Sequence, residues 1–78
     1  MSEALLAEGF DAALIGLGTQ FSHDVALYDY EMCVKILCER DGLTDEEARE
    51  HMEFNVTGAW VGPHTPVFLR DTGESLKN

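Results

Sequence analysis

The chain has 78 residues and a net charge of −10 at pH 7, with 15 acidic side chains against five basic ones. This length allows one domain and excludes an enzyme with separate catalytic and substrate domains. The charge disfavours direct nucleic-acid binding and contact with anionic lipid, and no window reaches the roughly 20 apolar residues of a membrane span. We therefore expect one compact domain over residues 1–70 and a flexible tail over 71–78, located in the cytoplasm.

The first predicted element lies over residues 12–19, and its type is ambiguous. Its apolar residues fit one face of a helix, whereas Gly16 and Gly18 would each weaken a helix by about 1 kcal/mol. We favour a strand here that pairs with the apolar run 25–28, and a helix is the alternative. A further strand is predicted over 66–70, which is rich in β-branched and aromatic residues.

Two helices are predicted between these strands. Asp29 can cap a helix over about residues 30–40, which Gly42 would end. A second helix over about residues 45–57 starts at a capping box, described next. Because only three residues join the helices, they must be neighbours in space. The sequence thus predicts an α+β fold, a small two- or three-stranded sheet covered by two helices.

The capping box is the clearest local signal. The Thr44 hydroxyl can accept from the N–H of Glu47, whose carboxylate can accept from the N–H of Thr44. Gly58 would end the helix that starts here. The spacing predicts one apolar face along the whole helix, made of Ala48, Met52, Asn55, Val56 and Ala59.

Zinc is the sharpest chemical alternative, because two cysteines and two histidines could supply four ligands. Cys33 and Cys38 lie on different faces of one predicted helix, however, and His51 and His64 are thirteen positions apart. Paired zinc ligands usually lie two to five residues apart. We expect no metal, no cofactor and no disulfide, with both cysteines as ordinary core thiols.

Enzymatic activity is not expected. Ser22, His23 and Asp24 are the residue types of a catalytic triad, but three consecutive side chains diverge instead of converging. They are more simply a polar turn. Cysteines in the middle of a helix lack the exposed, electropositive setting that activates a thiol.

The acidic ridge, which we define as Glu46, Glu50 and Glu53, is the first candidate binding feature. It belongs to a run of seven carboxylates in fifteen residues. One interpretation is a solvated helix face that keeps a small domain soluble. The other is a surface that docks into the basic groove of a nucleic-acid-binding protein.

The segment 54–66 is the second candidate binding feature, with two glycines, two prolines and the only Trp of the chain. Trp60 could anchor an interface. Alternatively, Trp60 closes the small core, and the glycines and prolines shape a turn.

The same segment carries a resemblance to a known family. Phe54-Asn55, Gly58-Ala59-Trp60-Val61-Gly62 and Thr65-Pro66, together with segments 28–30 and 41–48, resemble those of small proteins encoded by tailed bacteriophages. The likeness runs from about residue 10 to residue 69. It implies a phage origin and expression in the cytoplasm of a bacterial host, with no activity assigned residue by residue. Small acidic phage proteins often bind and disable a host or defence protein.

Three functions follow, in order of preference. The first is a phage accessory protein that binds a host or defence protein noncovalently through Glu46, Glu50, Glu53 and Trp60. The second is an oligomeric binder of a small anionic ligand, such as a nucleotide signal, through Lys35, Trp60, His64 and Arg70. The third is a small enzyme. So small a domain also leaves apolar surface that a second copy can cover, so a homo-oligomer stays open.

Overall fold

The computed structural model describes residues 4–70, and the predicted tail over 71–78 lies outside them. A 3-10 turn, Asp11–Ala13, leads into β1, Leu14–Gln20, and β2, His23–Asp29. Two helices follow, α1, Tyr30–Asp41, and α2, Asp45–His51. A π-helical turn, Met52–Val56, and a loop then lead to β3, Val67–Leu69. The predicted α+β fold, with a three-stranded sheet and two helices, is confirmed.

The first two strands form a hairpin, which confirms the strand interpretation for residues 14–19, whereas residues 12 and 13 belong to the 3-10 turn. β1 pairs antiparallel with β2, with a bulge between Leu14 and Gly16. The connection is the two residues Phe21 and Ser22, whose φ angles are 51° and 66°. Left-handed geometry at both positions matches the twist of the strands in a two-residue hairpin. The predicted polar turn at 22–24 is therefore wrong beyond Ser22, because the two residues that follow it belong to β2.

The helix starts lie where the sequence predicts them. Asp29 accepts from the backbone N–H of Met32 at 3.2 Å, and Gly42 ends α1 with a φ of 69°. At α2 both bonds of the capping box form. The N–H of Glu47 donates to Thr44 Oγ1 at 3.1 Å, and the N–H of Thr44 donates to Glu47 Oε1 at 2.9 Å.

The predicted α-helix over 45–57 is wrong in its second half. Regular α-helix ends at His51, and the chain continues as a π-helical turn. Both the N–H and the hydroxyl of Thr57 donate to the carbonyl of Met52, at 2.6 and 3.1 Å. The wider turn rotates the side chains that follow relative to an α-helix. Asn55 and Ala59, predicted on the apolar face, are consequently exposed.

The core lies between the sheet and the helices. α1 packs against β2, and α2 packs against α1. Tyr28 is fully buried at the centre, where its ring stacks on Phe68 of β3 with centroids 5.4 Å apart. Its hydroxyl accepts from the N–H of Ala7 at 2.8 Å, which fixes the N-terminal arm to the sheet. β3 runs parallel to β2, so the strand order is β1-β2-β3.

Candidate functional site

Three large aromatic side chains lie mostly in solvent. Phe21 is 88% exposed, Phe54 is 80% exposed and Trp60 is 76% exposed. Trp60 therefore does not close the core, which was the alternative interpretation of this residue. An exposed Trp gains free energy only when a partner covers it, which is why Trp is enriched among the residues that dominate binding interfaces.

A hydrogen-bonded loop positions Trp60. Thr65 Oγ1 accepts from the N–H of Val61 at 2.9 Å and donates to the carbonyl of Gly62 at 2.6 Å. Gly62 has a φ of 114°, a conformation that favours glycine. One residue before Thr65, Nδ1 of His64 lies 2.8 Å from the carbonyl of Asp24, which ties the loop to β2. These hydrogen bonds fix the backbone of the loop that carries Trp60.

A groove of about 420 Å³ lies beside Trp60. It runs between the hairpin turn and the loop before β3, and it is lined by Gln20, Phe21, His23, Val25, Trp60, Pro63, Thr65, Pro66 and Val67. A second groove, of about 390 Å³, lies between the N-terminal arm and the end of the π-helical turn. Both grooves are mainly apolar, with hydrogen-bonding groups at few positions.

Glu46 and Glu50 lie one helical turn apart in α2, Glu53 follows in the π-helical turn, and all three are exposed. Within residues 4–70, none of Glu46, Glu50 and Glu53 forms an ion pair or a side-chain hydrogen bond. They are therefore free to meet cations of a partner.

Two arginines pair with three carboxylates outside the ridge. Arg49 donates to both carboxylate oxygens of Glu31, at 2.7 and 2.9 Å, and to Asp45 at 2.8 Å. The hydrogen bonds from the Arg49 guanidinium lower the pKa of Glu31. Arg40 forms a second pair, with Asp41 at 3.0 Å, and lowers the pKa of that carboxyl. Within residues 4–70 the three ridge carboxylates have no such cation, and neither do the exposed Glu8, Asp11 and Glu39 elsewhere on the surface.

The backbone that carries Trp60 passes close to the end of the ridge. The backbone of Gly58 lies so close to the carbonyl of Glu53 that a Cβ there would be 2.7 Å from the oxygen. Trp60 follows two residues later, a distance of at most about 7 Å along the chain. The Trp60 backbone therefore lies within roughly 12 Å of the end of the ridge. Phe54 directly follows Glu53 in the π-helical turn and is also exposed.

The residues predicted for an anionic ligand do not share a groove. Arg70 stacks on the ring of Tyr30, with its guanidinium carbon 4.4 Å from the centroid. Lys35 is exposed on α1, and His64 contacts the backbone of β2. Of the four predicted residues, only Trp60 lines either of the two grooves described above.

Cys33 does not have the setting of an activated thiol. Burial, together with the nearby charge of Asp29, raises the pKa of Cys33 to about 11. Cys38 is half-buried, and both thiols are free. Among residues 4–70, no three of the His, Cys, Asp and Glu side chains lie close enough together to hold a metal ion.

Sequence reasoning missed three features of this region. The exposed Phe54 directly follows Glu53, but the ridge predicted from charge contains carboxylates only. No local signal marks Phe21 as exposed, because a bulky residue at positive φ is unusual in a hairpin turn. Likewise, nothing in the sequence indicates that the rings of His23 and His64 meet edge to face, with centroids 5.2 Å apart.

No family model, curated protein or solved structure matches this chain. The resemblance to tailed-bacteriophage proteins therefore stays a prediction. Within the described part of the chain, none of the helices has the length and apolar character needed to span a bilayer.

Proposed function

We propose that this chain acts by noncovalent binding to a basic protein partner. The contact surface is the acidic ridge together with Phe54 and Trp60, which we call the acidic–aromatic surface. In this proposal the aromatic rings supply apolar burial and the carboxylates supply charge complementarity.

One observation carries the proposal. Two large aromatic side chains, each more than three quarters exposed, follow closely along the chain after three carboxylates that have no cationic partner within residues 4–70. A solvated helix face explains the charges alone, but it does not explain why Phe54 and Trp60 remain in water beside them. A partner that presents Lys or Arg around an apolar pocket would satisfy both kinds of group.

The resemblance to phage proteins suggests the setting. It favours a host or defence protein in the bacterial cytoplasm, and a nucleic-acid-binding protein has the basic groove that such a surface would fit. Occupation of that groove would inhibit the partner by excluding its nucleic acid. In this proposal the chain binds its partner and does no chemistry itself.

The test compares two charge-reversal triples as baits in a lysate of the bacterial host. The first replaces the ridge, Glu46→Lys, Glu50→Lys and Glu53→Lys. The second replaces three exposed carboxylates elsewhere, Glu8→Lys, Asp11→Lys and Glu39→Lys, and changes the net charge by the same amount. This control is necessary because any chain with a net charge of −10 retains basic proteins nonspecifically.

We expect the ridge triple to lose the captured partner and the control triple to keep it. With the purified partner, the ridge triple should slow association at low salt by about tenfold or more, and binding should become less salt-dependent. Trp60→Ala should mainly speed dissociation, provided that circular dichroism shows an intact fold.

Equal behaviour of the two triples would contradict the proposal. The anionic-ligand alternative predicts the opposite pattern, in which Arg70→Ala releases a small anion detected by intact-mass analysis while the ridge triple binds as well as before.

A further inference from the structure

β1 is an edge strand that lacks the usual protection. It is seven residues long, Leu14–Gln20, and carries no charged residue and no proline. Within residues 4–70 the backbone of β1 bonds to β2 and, at the N–H of Leu14, to the carbonyl of Asp11. Along the rest of the strand, alternate N–H and C=O groups on its other edge point away from the sheet. Leu14, Ile15 and Leu17 are each between 43% and 57% exposed. A long, uncharged and apolar edge of this kind is a template for pairing with another strand.

The opposite edge of the same sheet is protected. β3 has only three residues, and it lies between Pro66 and Arg70. A short strand flanked by a proline and a charged residue cannot extend the sheet. The contrast between the two edges means that growth of the sheet is possible on one side only.

We propose that β1 pairs antiparallel with β1 of a second copy of this chain, which joins two three-stranded sheets into one sheet of six strands across a two-fold axis. The assembly closes at two copies because both outer edges are then β3. This inference goes beyond the proposed function and uses a different surface.

Charge identifies the second copy as the occupant. The chain has a net charge of −10, and most approaches between two copies are therefore repulsive. The stretch 12–22 contains no ionisable side chain, so contact through β1 brings the copies together where no charges meet. A basic partner, which suits the acidic ridge, would gain no charge complementarity from this strand.

The hairpin turn offers a second argument. In an antiparallel pair centred near Leu17, the end of one β1 lies beside the start of the other. Phe21, directly after β1, would then lie next to the partly exposed Leu14 of the second copy. A turn with both residues at positive φ would ordinarily carry Asn-Gly, so Phe21 costs backbone strain. Phe21 lines the groove beside Trp60 but is left mostly exposed there, and contact with a second copy would bury it.

The test measures mass in solution by sedimentation equilibrium between about 1 μM and 1 mM, the range expected for a small strand-to-strand interface. The wild-type chain should change from one copy to two across this range. Leu17→Lys should weaken the dimer by at least about tenfold, since an edge lysine blocks strand pairing. A weaker dimer in Leu17→Lys cannot be a general charge effect, because an added positive charge reduces the repulsion between two acidic copies and would strengthen nonspecific association.

The matched control is Leu69→Lys on β3, which makes the same chemical change at a comparably exposed leucine on the far edge. It should leave the dimer intact. By the strand register, Leu69 lies on the opposite face of the sheet from Leu17, so a dimer made by stacking that face would be disrupted by Leu69→Lys instead.

Hydrogen exchange supplies a second readout. Amides of β1 should become more protected as the wild-type concentration rises, and those of β3 should not. A wild-type chain that stays a single copy at all concentrations would overturn the proposal. So would a dimer that survives Leu17→Lys, or an assembly that grows beyond two copies.

Discussion

At the scale of single residues, burial separates the two cysteines. Cys33 is fully buried in α1, and its pKa is raised to about 11, mainly by burial. Cys38, five residues later, is half-buried. At pH 8 the native protein should therefore react with iodoacetamide at Cys38 well before Cys33, and the unfolded protein should react at both sites alike. Peptide mapping after timed quenching measures the two rates.

The same shift predicts a dependence of stability on pH. The raised pKa of Cys33 means that its contribution to stability is present in full below the ordinary thiol pKa of about 8.5 and is lost as the pH rises towards about 11. Urea unfolding in this pH range should show a decline in the free energy of unfolding, and the decline should be shallower in Cys33→Ala. In the labelling experiment, equal rates for the two native thiols would contradict the burial of Cys33.

At the scale of elements, the capping box carries the start of α2. Thr44→Ala removes the acceptor for the N–H of Glu47 and should lower the free energy of unfolding by about 0.5–2 kcal/mol. Thr44→Ser keeps the hydroxyl and is the matched control, so it should remain close to the wild type. Thermal unfolding of the three proteins measures the difference, and coincident curves for Thr44→Ala and the wild type would show that the cap contributes little.

The end of the π-helical turn that follows α2 requires a glycine at position 58. A Cβ at Gly58 would lie 2.7 Å from the backbone carbonyl of Glu53, and a backbone atom cannot move aside as a flexible side chain can. The chain thus leaves the π-helical turn through a close contact between backbone segments. This contact brings Trp60 near the end of the acidic ridge.

At the scale of the whole molecule, the fold is expected to depend on packing alone. Sheet and helices share one buried cluster, and every buried polar side-chain atom in residues 4–70 has a hydrogen-bond partner. Chelator and reductant should therefore leave the unfolding transition unchanged, and elemental analysis after purification without added metal should find no stoichiometric zinc. About one zinc per chain, or unfolding by chelator, would show that the histidines and cysteines form a metal site.

Sequence alone determined the elements whose signals are local. The caps of both helices depend on hydrogen bonds between residues three or four positions apart, so Asp29, Gly42, Thr44 and Glu47 could be assigned without the fold. The strands were predictable from short apolar runs, although the glycines of β1 left its type open. Charge and composition likewise indicated the candidate ridge.

Only the tertiary structure decided the features that depend on distant parts of the chain. The parallel pairing of β3 with β2 and the contact of His64 with Asp24 join positions about forty residues apart, which no local pattern encodes. The π-helical turn at Met52 overrides the 3.6-residue period that predicted a continuous α-helix. Whether Trp60 fills the core or faces solvent likewise depended on how distant segments pack together. Tyr28 and Phe68 stack in the folded chain, and Trp60 faces solvent.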